Sequence, residues 1–338
     1  MSATVPDAPQ RLLATDYCLL LLPFPDNSLT LFDVVSTSKE STLLTDALPS
    51  QDYEGSPHET GEPLVPIEVD PNNPHWGILE AAFVWIASAL LLLILPLLAI
   101  VPYALYHYSG VSYDVFIKAL PADKTALFIS ILSVIPVHLL TLGLVWAVVT
   151  QYGKRPFWRS LGWEWSPSFG FWSSAGLAFA LLVLGTIIIK LVGGEATDID
   201  QIINSSTAAR LTTAVLATAT APLVEEIIYR GLIYSALQRA LGMLWAVVFV
   251  TALFAFVHVY QYRDNLGVIA AVSLLSLSLT LVRAFTGRLL PCFVMHLVFN
   301  GLQSLYIILE PYMQAPGASG EQKAAVVEMI ARAIHTFV

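Results

Sequence analysis

The sequence predicts an all-α fold: a polytopic transmembrane bundle of about seven helices enclosing a polar intramembrane cavity. Three observations predict it. Of 338 residues 56% are hydrophobic and only 12% charged, with mean hydropathy +0.70, whereas a soluble globular chain carries about 25% charged residues. Beyond residue 75 the apolar segments each approach the roughly 20 residues that a bilayer requires. Inside those segments lie a few ionisable side chains, above all in VEEIIYRG (224–231), where an unpaired charge costs several kcal/mol and is a functional signal by default.

The first stretch, 1–75, is rich in Ser, Thr, Pro and Asp and reads as an acidic, largely disordered tail, with short apolar patches at 17–24 and 28–35. It carries twelve acids against Arg11 and Lys39, a net of −10 within a chain total of −9, which leaves +1 for residues 76–338. The acidity therefore belongs to the tail, and the membrane body is nearly neutral. Cys18 and Cys292 supply no disulfide framework and no CxxC or Cys/His zinc pattern. The run 18–24 is too short and lacks the flanks of a cleavable signal peptide.

Residues 76–204 hold the first helices and a basic loop. Spans are predicted at 81–106, 125–149 and 169–193, with Pro96, Pro102 and Pro136 inside them; neighbouring helices can re-satisfy the carbonyls that such prolines free. The connector YGKRPFWRSLGWEW (152–165) carries Lys154, Arg155, Arg159 and three tryptophans, which suit a cytoplasmic loop at headgroup level. Arg239, Arg283 and Arg288 then fall on that side, and GGEATDID (193–200) falls outside with Arg263 and Asp264. Lys118, Lys124 and Arg210 are left outside against the bias. With seven spans the tail is cytoplasmic.

Residues 205–310 form the core, with spans at 211–238, 243–260, 266–284 and 289–309 and Pro222 inside the first. The last segment, 311–338, places Val326, Val327, Ile330, Ile334, Phe337 and Val338 on one helical face and reads as an amphipathic segment lying along the interface.

Three core spans present polar groups at helical spacing. Glu226 and Arg230 are four apart, acid before base, and can pair on one face. Glu225 points about 100° away around the helix and needs another partner. In LFAFVHVY (253–260), His258 lies 17 residues after a hairpin turn near Leu241, and Glu225 lies 16 before it. At about 1.5 Å per residue both sit about 24 Å from the turn and can meet at one depth. In PCFVMHLVFNGL (291–302), His296 and Asn300 share a face. Eight residues from Arg288 puts His296 about 12 Å deep, so its helix either starts below the surface or tilts strongly. His138 lies outside these groups.

A carboxylate beside an imidazole can hold a water and take its proton, and a second imidazole with an amide can donate to an oxyanion. That combination hydrolyses an acyl compound such as a peptide bond. Alternatively, Glu225, His258 and His296 could ligate Zn²⁺ with a water in the fourth position. HExxH, GxSxG, SxxK and a paired YD…GxGD are all missing; Tyr113–Asp114 has no GxGD downstream.

EEIIYR (225–230), FAFVH (254–258) and HLVFN (296–300) resemble the motifs EExxxR, FxxxH and HxxxN of the CPBP intramembrane proteases, named for CAAX proteases and bacteriocin-processing enzymes and also called the Abi family, which include the type II CAAX prenyl endopeptidases. The resemblance covers about 205–310. It implies an intramembrane endopeptidase in which Glu225 and His258 activate water, His296 and Asn300 form the oxyanion site, and Glu226 and Arg230 support them. The family is often labelled metalloprotease; a metal-free reaction is favoured here because Asn is a poor zinc ligand, so no cofactor is expected unless zinc. The expected partners are a membrane protein or peptide substrate and the lipid bilayer, with no nucleic acid, in a bacterial inner membrane. A non-catalytic immunity or scaffold protein is the alternative, and a proton-coupled transporter using Glu225 and His258 is another.

Overall fold

A computed structural model describes residues 69–314 of the chain; the apolar patches of the tail and the amphipathic face at 326–338 lie outside the described residues. The final residues of the stretch read as tail pack on the bundle. The His75 imidazole Nε2 is 3.2 Å from the Val148 carbonyl, and the buried Trp76 donates its indole N–H to the Leu232 carbonyl at 3.0 Å.

Helix α1 (Ile78–His107) follows, its start secured by Glu80, which accepts the Gly77 N–H at 2.9 Å. One side of it, including Leu79, Phe83, Leu93 and Leu105, is exposed apolar surface, as lipid contact requires. After α2 (Tyr113–Ala119) and a 3₁₀ turn (Leu120–Ala122), Asp123 caps α3 (Lys124–Leu132) by accepting the Thr125 and Ala126 N–H groups. The same carboxylate takes the Tyr103 and Tyr108 hydroxyls at 2.9 and 2.8 Å, latching α1 to α3.

The expected span 125–149 is two helices, α3 and α4 (Val134–Thr150), divided at Ser133. Pro136 explains the break: it has no N–H for the carbonyl of Leu132 and crowds it. Basic-loop helix α5 (Phe157–Ser160), α6 (Phe171–Val192) and α7 (Asp198–Ser205) come next. The long helix Thr207–Leu241 comprises α8 (Thr207–Val215), a π turn (Leu216–Thr220), α9 (Ala221–Glu226), a second π turn (Ile227–Ile233) and α10 (Tyr234–Leu241). Helices α11 (Met243–Val259), α12 (Leu266–Thr286) and α13 (Leu290–Gln314) complete the bundle.

Among the described residues six helical segments are long and apolar enough to cross a membrane, and α11 is a shorter seventh. The chain is an integral multi-pass membrane protein. One buried apolar cluster joins α1, α4, the second π turn and α11; another joins α6, α12 and α13. The polar residues lie between them.

The loops sort to two ends. At one, Arg288 pairs with Glu164 at 2.6 Å, the Leu289 N–H bonds the Gly162 carbonyl at 2.8 Å, and Arg239 bonds the Pro74 carbonyl. At the other, the Glu195 N–H reaches the Asp264 carbonyl at 3.0 Å. The depth of His296 is thereby explained: α13 starts beneath the 157–165 loop, with Leu161 and Leu289 fully buried there. Gly231 of the second π turn permits this approach, since a Cβ on it would lie 3.0 Å from Leu161 and 3.3 Å from Leu289.

Candidate active site

The helix carrying VEEIIYRG has two π turns, and each releases a backbone carbonyl to a side chain of another helix. In the first, the Ala221 N–H bonds the Leu216 carbonyl five residues back. The partner next in that register for Ala217 would be Pro222, which has no N–H. The Ala217 carbonyl accepts instead from Asn300 Nδ2 at 2.9 Å. In the second, the Tyr234 N–H bonds Tyr229, and the Arg230 carbonyl is taken by Arg283 Nε at 3.1 Å. π turns of this kind concentrate at functional sites.

Along this helix and α13 runs a row of ionisable side chains. Arg230 and Glu226 are fully buried and paired at 3.0 Å. Glu226 Oε1 also meets His296 Nδ1 at 2.8 Å, and His296 Nε2 lies 3.8 Å from Glu225 Oε2. A carboxylate that accepts from an arginine can only accept again, so His296 Nδ1 carries a hydrogen toward it. Arg230 is held further by Ser276, whose hydroxyl and carbonyl accept at 2.9 and 3.1 Å, and by Thr280 at 3.3 Å; its guanidinium lies 4.6 Å from the centre of the Phe254 ring. Of the two carboxylates Glu225 is the accessible one, with 29% of its side chain exposed against none for Glu226.

His258 stands at the end of α11. Its Nδ1 is 2.7 Å from the Phe254 carbonyl, which only accepts, so Nδ1 carries the hydrogen and Nε2 is free to take a proton. No hydrogen bond or ion pair joins it to Glu225 among the described residues. Phe254 stands between the imidazoles, its ring 4.6 Å from that of His258 and 6.2 Å from that of His296. In the following turn, burial and then the Glu225 and Asp200 carboxylates push the Tyr262 phenol up to about 12. His138 approaches from α4, with Nδ1 3.0 Å from the Thr220 hydroxyl in the first π turn.

Sequence reasoning missed the α12 contribution. Arg283, near the basic end of the expected span 266–284, is fully buried within α12 and also donates to Asn72 at 2.8 Å and the Pro71 carbonyl at 3.0 Å. The signal was available: Ser276, Thr280 and Arg283 fall four and three apart on one face.

A zinc centre of the kind considered above needs three converging ligands. Among the described residues no group of three His, Cys, Asp or Glu side chains is placed to hold a metal ion.

Comparison with curated proteins and with solved structures returned no match. Residues 207–302, which contain both π turns and all three motifs, match the family model for type II CAAX prenyl endopeptidase Rce1-like proteins.

Proposed function

We propose that this protein is an intramembrane endopeptidase that hydrolyses peptide bonds of membrane-associated proteins or peptides with water activated by side chains. The observation that carries this reading is the row Arg230–Glu226–His296–Glu225, in which one carboxylate is fully buried with its Oε1 shared by Arg230 and His296, while the other is accessible. Glu225 takes the proton of the attacking water, and His258, with Nδ1 on the Phe254 carbonyl, keeps Nε2 free to assist. His296 shares a proton with Glu226 on one nitrogen and turns the other toward the substrate carbonyl, and Asn300 adds a second donor. With Nδ1–H on Glu226, donation from Nε2 requires both ring nitrogens to carry hydrogen, and a donor there favours an oxyanion as it forms.

No metal takes part in this scheme. The basic end, with Lys154, Arg155, Arg159, Arg239 and Arg288, is assigned to the cytoplasm on the positive-inside bias, in a bacterial inner membrane.

The test uses purified protein in nanodiscs and an internally quenched farnesylated peptide with a CAAX-type C-terminus. Cleavage by wild type, none by Glu225→Gln, and full activity after exhaustive chelation are expected. One zinc per chain by elemental analysis, lost with activity in chelator and restored by Zn²⁺, would overturn the metal-free reaction. Ion or solute flux in proteoliposomes without cleavage of any peptide would overturn the peptidase itself.

A further inference from the structure

We propose that Tyr262, in the turn between α11 and α12, is a positioning residue that fixes the plane of the His258 imidazole from outside the three motifs. The inference rests on the peptidase reading for its consequence and on contacts of its own for its substance. The Tyr262 ring lies parallel to that of His258, 4° between planes and 6.2 Å between centres. Its backbone N–H bonds the His258 carbonyl at 3.0 Å, so the ring is set one turn beyond the imidazole by the last hydrogen bond of the helix. With Nδ1 on the Phe254 carbonyl, His258 is held by one hydrogen bond and one aromatic neighbour on each side. Removing Tyr262 leaves it free to swing about that bond.

The turn itself is firmly seated. The Asn265 N–H bonds the Tyr262 carbonyl at 2.8 Å. Asn265 in turn caps α12 through the Val268 N–H at 3.1 Å and donates to the Glu195 carbonyl at 3.2 Å. Gly194 allows this closeness, because a Cβ there would fall 2.4 Å from the Asn265 side chain. Tyr262 also lies near enough to Glu225 for that carboxylate to act on its phenol. Its ring thus neighbours His258, one of the two residues assigned to the water.

The experiment compares wild type, Tyr262→Leu and Tyr262→Phe, full length in nanodiscs with ¹⁵N-labelled histidine, the His258 signals being assigned through His258→Gln. Loss of the ring should shift the His258 signals, and Tyr262→Phe should restore them. With the farnesylated peptide, Tyr262→Leu should lower kcat about 10²-fold, the scale of a small misplacement of a catalytic group, with KM unchanged, and Tyr262→Phe should recover most of it. His258 signals identical in Tyr262→Leu and wild type would overturn the proposal. So would a Tyr262→Phe enzyme no more active than Tyr262→Leu. If wild type itself leaves the peptide uncut, the peptidase reading fails on that substrate, and the imidazole signals alone decide the contact.

Discussion

Glu226 Oε1 and His296 Nδ1 lie 2.8 Å apart, in a pair of side chains almost wholly shielded from solvent. The residues are seventy positions apart in sequence, and their contact ties the first motif to the third. The same oxygen also accepts from Arg230 at 3.0 Å, so Glu226 is held through Oε1 by two partners, while its buried Oε2 has none among the described residues.

The two adjacent carboxylates should therefore behave differently when neutralised. Glu225→Gln is expected to abolish turnover while leaving the melting temperature unchanged. Glu226→Gln leaves Arg230 buried without its counter-charge, a loss of about 3–5 kcal/mol, and should appear as low yield and a depressed melting temperature in detergent. Loss of activity in a fully stable Glu226→Gln protein, with Glu225→Gln still active, would reverse the roles.

For the oxyanion donors the diagnostic is which kinetic constant moves. His296→Ala and Asn300→Ala should each lower kcat by about 10²–10³-fold with little change in KM, since the contact strengthens only as charge develops. Asn300→Ala also strands the Ala217 carbonyl, so hydrogen exchange should rise around residues 217–222. A change in KM alone would assign both residues to substrate binding instead.

Arg283 joins the segment before α1 to the catalytic helix. Arg283→Met should cost about 1–3 kcal/mol through the acceptors left behind. The amides of Asn72, Asn73 and His75 should then exchange faster, by mass spectrometry, than those of α6. Unchanged exchange there would mean that His75 and Trp76 suffice to hold the segment.

The latch at Asp123 gives a pH dependence. Burial alone would raise its carboxyl pKa, but the Ala126 N–H, the Tyr108 and Tyr103 hydroxyls and the Thr125 N–H outweigh that and hold it below the usual 3.8. A depressed folded pKa stabilises above the unfolded value and loses that stability as pH falls through the folded one. Wild type should thus exceed Asp123→Asn in melting temperature at neutral pH, and the gap should close as pH drops below about 3.8. At the alkaline extreme burial, followed by Asp123, pushes Tyr108 up to about 12; its contribution is full below 10 and fades as pH climbs toward 12. A melting-temperature gap independent of pH would remove Asp123 from this account.

Hydropathy made the bundle legible because lipid exposure demands long apolar runs, and each expected span coincides to within a few residues with a helical segment, the one at 125–149 being broken at Ser133. The Glu226–Arg230 pair was legible for a local reason, a spacing of four on one helix. The Glu226–His296 bond was not, since helical spacing says nothing about which side chains of two distant helices face each other. Nor were the bonds of Arg283 legible: the span 266–284 placed it at the basic end near Arg288, but spacing does not say that it turns inward to the Arg230 carbonyl. The π turns left one trace, Pro222, which reads equally well as a tolerated kink.

Helix α11 has 17 residues, about 25 Å of rise, against a hydrocarbon slab of about 30 Å. A span that falls short pulls the bilayer inward beside it. His258 is the last residue but one of α11, so a shortfall at that end brings headgroups and water toward it along that flank. A polypeptide tethered in the membrane by a hydrophobic anchor could then present a hydrated, extended segment to Glu225 without carrying its peptide groups through the full slab. Thinner bilayers should ease that passage and thicker ones impede it, making lipid chain length a control on turnover that requires no change in the protein.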